Sequence, residues 1–79
     1  MTMKNVIYST QEDAEQVLEA LKDLLEKYEI VTVADFLELS GIASKFKDTH
    51  VGWTEMDDVS VKKDKDGYVL DLPEPKDLR

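Results

Sequence analysis

Seven apolar residues, Ala14, Val17, Leu18, Leu21, Leu24, Leu25 and Tyr28, follow one another at steps of three, one, three, three, one and three. That spacing is the 3.6-residue period of a helix with one oily face. It predicts a helix from about Thr10 to Tyr28, which must bury its stripe against a sheet or a partner helix. The chain supplying the cover has only 79 residues and no cysteine. It makes one small domain with no disulfide and no thiolate for a metal. Its core must come from packing alone, or from packing helped by a second copy of the chain. A homodimer would suit so long a stripe on so short a chain.

Local signals place the helix start. Ser9-Thr10-Gln11-Glu12 matches a capping box, with the Ser9 hydroxyl serving the Glu12 amide and the Glu12 carboxylate reaching back. Asp13 adds negative charge to the first turn, where the helix dipole favours it. The opposite face carries Glu12, Glu15, Glu19, Lys22, Asp23 and Glu26. Glu15 with Glu19, and Glu19 with Asp23, are like charges four apart, each costing a few tenths of a kcal/mol in an isolated helix. Lys22 offsets part of this.

The rest of the chain reads as shorter elements. Residues 4–8, Lys-Asn-Val-Ile-Tyr, suggest a short strand. After the connector Glu29-Ile30-Val31, Thr32 with Asp35 is the next cap. Val33, Phe36 and Leu37 then give a short amphipathic helix, and Ser40-Gly41 ends it with Gly41 in the left-handed conformation. Residues 42–58 are the least regular, with Ile42, Phe46, Val51, Trp53 and Met56 as scattered apolar anchors. Gly52-Trp53-Thr54 suggests a place where the backbone passes close to something, and Thr54-Glu55-Met56-Asp57 a capped single turn.

Residues 59–72 read as a hairpin. Asp66-Gly67 is a two-residue turn signal, pairing Lys65 with Tyr68, Lys63 with Leu70 and Val61 with Leu72. Val59, Val61, Tyr68, Leu70 and Leu72 then share one face, and Lys62 faces Asp71 on the other. Pro73 and Pro75 end the strand, leaving residues 73–79 as a flexible tail. The expected architecture is one α+β domain over residues 1–72. A small antiparallel sheet would be covered on one face by helices.

Charge narrows the function classes. Eighteen acidic residues against ten basic ones leave a net charge of -8. The excess acidity lies in residues 1–58, and residues 59–79 are balanced, with five of each sign. Such a surface repels phosphate backbones and anionic lipids and attracts basic proteins. The one basic cluster, Lys62, Lys63 and Lys65, is interrupted by Asp64 and Asp66. A winged-helix outline would want a basic second helix, whereas this one carries Asp35 and Glu38. No apolar run reaches the roughly 20 residues that span a bilayer. There is no signal-peptide pattern behind Lys4. Nucleic acid and membrane are therefore not expected partners, and the expected setting is the cytoplasm.

Few residues offer chemistry. Asp64-Lys65-Asp66-Gly67 looks like a fragment of a calcium loop, but position 73 is Pro where a ligating Glu belongs, so it reads as a turn. Asp57 and Asp58 could share a cation or a proton, although such neighbours are usually solvated loop charges. His50 is the only histidine, and no nucleophile, phosphate loop or oxyanion motif accompanies it. Trp53 is either an anchor for a partner or a core plug closing the sheet against the long helix. No enzyme, no cofactor and no metal is expected.

Three stretches together carry a resemblance. Val31-Thr32-Val33-Ala34-Asp35-Phe36, Gly52-Trp53-Thr54-Glu55-Met56 and Asp66-Gly67-Tyr68-Val69-Leu70-Asp71-Leu72-Pro73-Glu74-Pro75 resemble small uncharacterised proteins of tailed bacteriophages and prophages. The pattern there is a VTVADLYDL helix, a GWTDL turn and a DGYLLDLPKP ending. The Asp-Ala-Glu-Gln-Val-Leu run at 13–18 fits the preceding helix, so the resemblance covers about residues 6–75. This chain departs from it at Glu29, where a helix-ending Gly is expected, and at Asp57-Asp58. The resemblance implies a viral origin, the host-cell cytoplasm and an accessory role. It transfers no site residues.

The leading expectation is a non-catalytic binding protein that occupies a host or phage protein. Trp53, Glu55, Asp57 and Asp58 form the first candidate surface, and the acidic face Glu12, Glu15, Glu19, Asp23 and Glu26 the second. In a sharper form the acidic face mimics DNA phosphates and inhibits a host nucleic-acid enzyme or defence system. From another class, Trp53, His50 and the hairpin lysines would line a small-molecule or nucleotide pocket between subunits, making the protein a ligand sponge.

Overall fold

The computed structural model describes residues 6–78. Its elements are α1 (Gln11–Tyr28), β1 (Val31–Thr32), α2 (Val33–Leu39), a 3-10 turn (Phe46–Thr49), β2 (Val51–Trp53), β3 (Ser60–Asp64), β4 (Gly67–Asp71) and β5 (Lys76–Asp77). The fold is α+β, and no helix among the described residues is long and apolar enough to cross a membrane.

The long helix forms where its periodicity puts it, but its cap lies one residue further on. Thr10, not Ser9, is the N-cap: its backbone is extended, and its hydroxyl accepts from the Asp13 amide at 3.1 Å. Ser9 instead donates to the Asp13 carboxylate at 3.5 Å. Ala14 and Leu21 are fully buried, and Val17, Leu18, Leu24 and Leu25 pack partly buried against the same core. Tyr28 drops out of the stripe: it is 58% exposed, with the Lys27 ammonium 5.4 Å from its ring centre. Burying Leu21 alone stabilises the fold by about 1.5–3 kcal/mol.

Glu29 ends α1 in the left-handed region, at φ 67, with its N–H donating to the Leu25 carbonyl. This is the position where the phage pattern places Gly. A side chain there costs about 1–2 kcal/mol of steric strain. Glu29→Gly is expected to stabilise the chain by about 0.5–1 kcal/mol once the extra freedom of glycine in the unfolded chain is subtracted. Thermal unfolding should show the gain as a rise of a few degrees (about 4–8 °C per kcal/mol for this size). An unchanged or lower midpoint would contradict it.

The second helix follows its local signals closely. Thr32 accepts from the Asp35 amide at 3.0 Å, and Asp35 accepts from the Thr32 amide at 3.1 Å. At the other end the Gly41 amide reaches the Glu38 carbonyl at 3.1 Å and the Ile42 amide the Leu37 carbonyl at 2.8 Å. Those two bonds are a Schellman stop. Gly41 sits at φ 77.

The strands form two small sheets rather than one. The hairpin β3-β4 is two-stranded, and a separate three-stranded antiparallel sheet runs β1-β2-β5. Among the described residues 6–8 the expected N-terminal strand shows one bridge, in which Tyr8 exchanges amide bonds of 2.8 and 2.9 Å with Tyr68. Lys4 and Asn5 lie outside the described residues. The hairpin keeps its expected faces but pairs two residues away from the expected register: Lys63 faces Tyr68, Val61 faces Leu70, and Asp64 faces Gly67. Lys65-Asp66 is therefore the loop. Gly67 belongs to the strand, at φ 147, because the Tyr8 backbone crosses directly over it; a Cβ there would lie 2.5 Å from the Tyr8 carbonyl oxygen. A shift of two preserves the alternation of faces, since side chains repeat every second residue. Lys62 now faces Val69 and meets Asp71 diagonally, at 3.7 Å. Both side chains are more than half exposed, so the pair adds little.

The segment read as irregular contains the central strand of the second sheet. Val31 pairs with Trp53 on one side of β2, and Val51 pairs with Asp77 on the other. The segment expected to be a flexible tail is thus stitched down by β5, by the Leu78 amide on the His50 carbonyl at 2.9 Å, and by a contact at Pro73 described below. Phe36, Leu21, Leu70 and Val31 are the largest fully buried side chains, at the meeting of α1, α2, β1 and the hairpin.

Candidate partner-binding surface

The five carboxylates of the α1 face, Glu12, Glu15, Glu19, Asp23 and Glu26, are all exposed. Their steps of three, four, four and three keep them on one stripe, because each residue turns about 100° around the axis. The stripe points away from Ala14 and Leu21, the buried side of the helix. At 1.5 Å per residue it runs for about 21 Å. Lys22 and Lys27 fall at its flanks rather than inside it. The like-charge repulsion this creates is tolerated because packing of the inner face, not helix propensity, holds α1 in place.

Trp53 does not belong to a surface. It is 2% exposed, and its ring stands edge-on to Phe36 at 6.2 Å between centres. Its indole N–H donates to the Pro73 carbonyl at 2.6 Å. The expectation of Trp53 as a partner anchor is therefore corrected in favour of the core plug. It fails because the ring packs into the core against Phe36 of α2 and its N–H is taken by the Pro73 carbonyl. The crevice at its edge, lined by Thr54, Glu55, Pro73 and Lys76 among others, holds only about 90 Å³. Small-molecule sites usually offer about 300 Å³ or more.

Glu55, Asp57 and Asp58, which accompanied Trp53 in the first candidate surface, are exposed on the loop from β2 to β3. Met56 between them is buried and pins the loop to the core. This brings Asp57 to the flank of α1. A shallow groove of about 370 Å³ is lined there by Lys22, Leu25, Glu26, Met56 and Asp57. The two candidate acidic surfaces, separate in sequence, thus meet at Glu26 and Asp57. No group of three or more metal-ligating side chains occurs among the described residues.

On the other flank of α1 a second groove of about 370 Å³ is lined by Tyr8, Asp13, Gln16, Val17, Ala20, Leu39 and Ser40. Ser40 gives its proton to the Phe36 carbonyl at 2.9 Å, so the Tyr8 hydroxyl donates to Ser40 at 2.6 Å. Burial raises the Tyr8 pKa above its ordinary value. His50 and the hairpin lysines Lys62, Lys63 and Lys65 line none of these three grooves.

Phe46 and Ile42, two of the apolar anchors expected in residues 42–58, are both exposed. Phe46 is 77% exposed and touches His50 edge-on, at 4.8 Å between ring centres. The His50 Nε2 atom is sealed without a hydrogen-bond partner. Lys45 and Lys47, on either side of Phe46, are exposed as well. The one available signal was Lys-Phe-Lys itself, an aromatic residue between two charges, which is an unusual core sequence.

Comparison with family models, with curated proteins and with solved structures finds no match to this chain.

Proposed function

We propose that this chain is a small phage-encoded accessory protein that binds a basic surface of another protein and does no chemistry of its own. The observation that carries the reading is the single exposed stripe of five carboxylates on α1, continued at Glu26 by the loop acids around Asp57. With a net charge of -8, the protein draws basic partners toward that face and repels acidic ones. The viral part of the reading rests on the VTVADF, GWTEM and DGYVLDLPEP stretches.

The straight geometry of the stripe favours one kind of partner, a protein whose basic surface otherwise holds nucleic acid. Carboxylates four residues apart rise about 6 Å along the axis, so they offer a line of regularly spaced negative charges. In that form the protein acts as an inhibitor by occupying a phosphate-binding track.

The test compares the wild type with the triple variant Glu15→Lys, Glu19→Lys, Asp23→Lys, each immobilised and exposed to nuclease-treated bacterial lysate. The wild type should retain a basic protein that added salt releases, and the triple variant should not. Release by duplex DNA would mark the partner's basic surface as one that binds nucleic acid. Equal retention by both proteins would sink the reading. All three positions are exposed, and α1 is held by the packing of its inner face, so circular dichroism should show the fold intact.

A further inference from the structure

We propose that Phe46, between Lys45 and Lys47, is a knob that seats in the groove formed by α1 and the Met56–Asp57 loop of a second copy of this chain.

The knob is the most exposed large apolar side chain among the described residues, at 77%. Leu39 and Ile42, just before it in the chain, are exposed too. A Phe ring left this far in water is the kind of group that partners bury. It is presented rigidly: the turn beneath it is closed by the Asp48 carboxylate on the Lys45 amide at 2.8 Å and by the Thr49 hydroxyl on the Phe46 carbonyl at 2.7 Å. Lys45 and Lys47 make no ion pair among the described residues. The knob therefore offers one ring and two lysines against the single carboxylate of Asp48, a net positive turn on a protein whose overall charge is strongly negative.

The groove offers the complement. Leu25 and Met56 form an apolar floor, Glu26 and Asp57 supply two carboxylates at the rim, and Lys22 leaves the rim net negative. Its volume of about 370 Å³ has room for an aromatic ring. The groove at Tyr8 has a similar size but only Asp13 as an acid, so it matches two lysines less well. One chain carries both halves of the contact, and Phe46 remains exposed on it, so the knob is not filling the groove of its own molecule. The contact is between unlike surfaces: a second copy closes it into a dimer where both knobs engage, and otherwise extends it.

The proposal goes beyond the basic-partner reading and uses none of the three stripe positions reversed in that test. Its own test is the solution mass of the wild type from micromolar to millimolar concentration, by light scattering. The mass should rise above the 9.0 kDa of one chain and fall back as salt is added. Phe46→Ala should weaken the association at least tenfold while leaving the melting temperature of the dilute, monomeric protein nearly unchanged, since the ring is 77% exposed. The decisive arm is a charge exchange. Lys45→Glu with Lys47→Glu sets an acidic knob against an acidic rim, and Glu26→Lys with Asp57→Lys sets a basic knob against a basic rim, so each variant should be monomeric alone. Mixed one to one, both contacts become complementary and the association should return. A wild type that stays monomeric throughout would overturn the proposal and leave the knob to a different protein. So would a Phe46→Ala variant that associates like the wild type, or a mixture that stays monomeric.

Discussion

Trp53→Ala is expected to cost about 3–5 kcal/mol, the range for deleting a large aromatic side chain from a core. The ring is enclosed, packed edge-on against Phe36, and tied to the Pro73 carbonyl. A chain of this length has a total stability of about 4–12 kcal/mol. The variant should therefore lose its cooperative melting transition or melt close to room temperature, followed by far-ultraviolet circular dichroism. A milder change separates two contributions. Trp53→Phe keeps an aromatic ring against Phe36 but removes the N–H that holds Pro73, and should fall between wild type and Trp53→Ala. A Trp53→Ala variant that melts within a few degrees of wild type would mean that the ring is not the plug.

Gly52→Ala is expected to be nearly as damaging, although it adds a single methyl group. Gly52 is the central residue of β2, facing Thr32 on one side and Lys76 on the other. A Cβ there would lie 2.0 Å from the Val31 carbonyl oxygen and 2.6 Å from the Thr32 Cα. Both are backbone atoms, and neither can swing aside as a side-chain tip would. Relief requires β1 to move off β2, and β1 leads directly into the Thr32 cap of α2. Overpacking of this kind costs about 1–3 kcal/mol where neighbours can adjust; against fixed backbone the upper end, about 3 kcal/mol, is expected. Urea unfolding should register the loss as a lower midpoint. Gly41→Ala, at a site where a Cβ meets nothing within 4 Å, carries only the strain of its positive φ and should cost less. Equal effects at the two glycines would refute the close-approach account.

What could be read in the sequence was local or periodic. The stripe of α1 repeats over many turns, so its helix and its acidic outer face were both visible in the spacing. The Thr32–Asp35 box and the Gly41 stop involve residues three to five apart, and both formed as expected. Gly52-Trp53 correctly signalled a close passage of backbone, though not which strand would pass. What could not be read depends on distant neighbours. The hairpin register is set by Tyr8 lying across Gly67, a contact spanning most of the chain. β2 and β5 are too short to show an alternation of faces, so one was hidden in an irregular segment and the other in a supposed tail. Trp53 was open to two readings because its burial is decided by Phe36 on α2 and by Pro73, both distant in the chain. Phe46 was missed for the converse reason: an apolar residue in an irregular stretch is assigned to the core by habit, and only the assembled fold leaves it outside.

The sheet β1-β2-β5 draws its strands from three places far apart in the chain, and none is longer than three residues. No pair of them could hold together alone, since closing each intervening loop costs entropy before a few amide bonds are gained. Its stability is therefore borrowed from the core around it: Val31 and Trp53, opposite one another on neighbouring strands, are buried in the same cluster as Leu21 and Phe36, so the small sheet and the burial of Trp53 are held by the packing of the whole molecule.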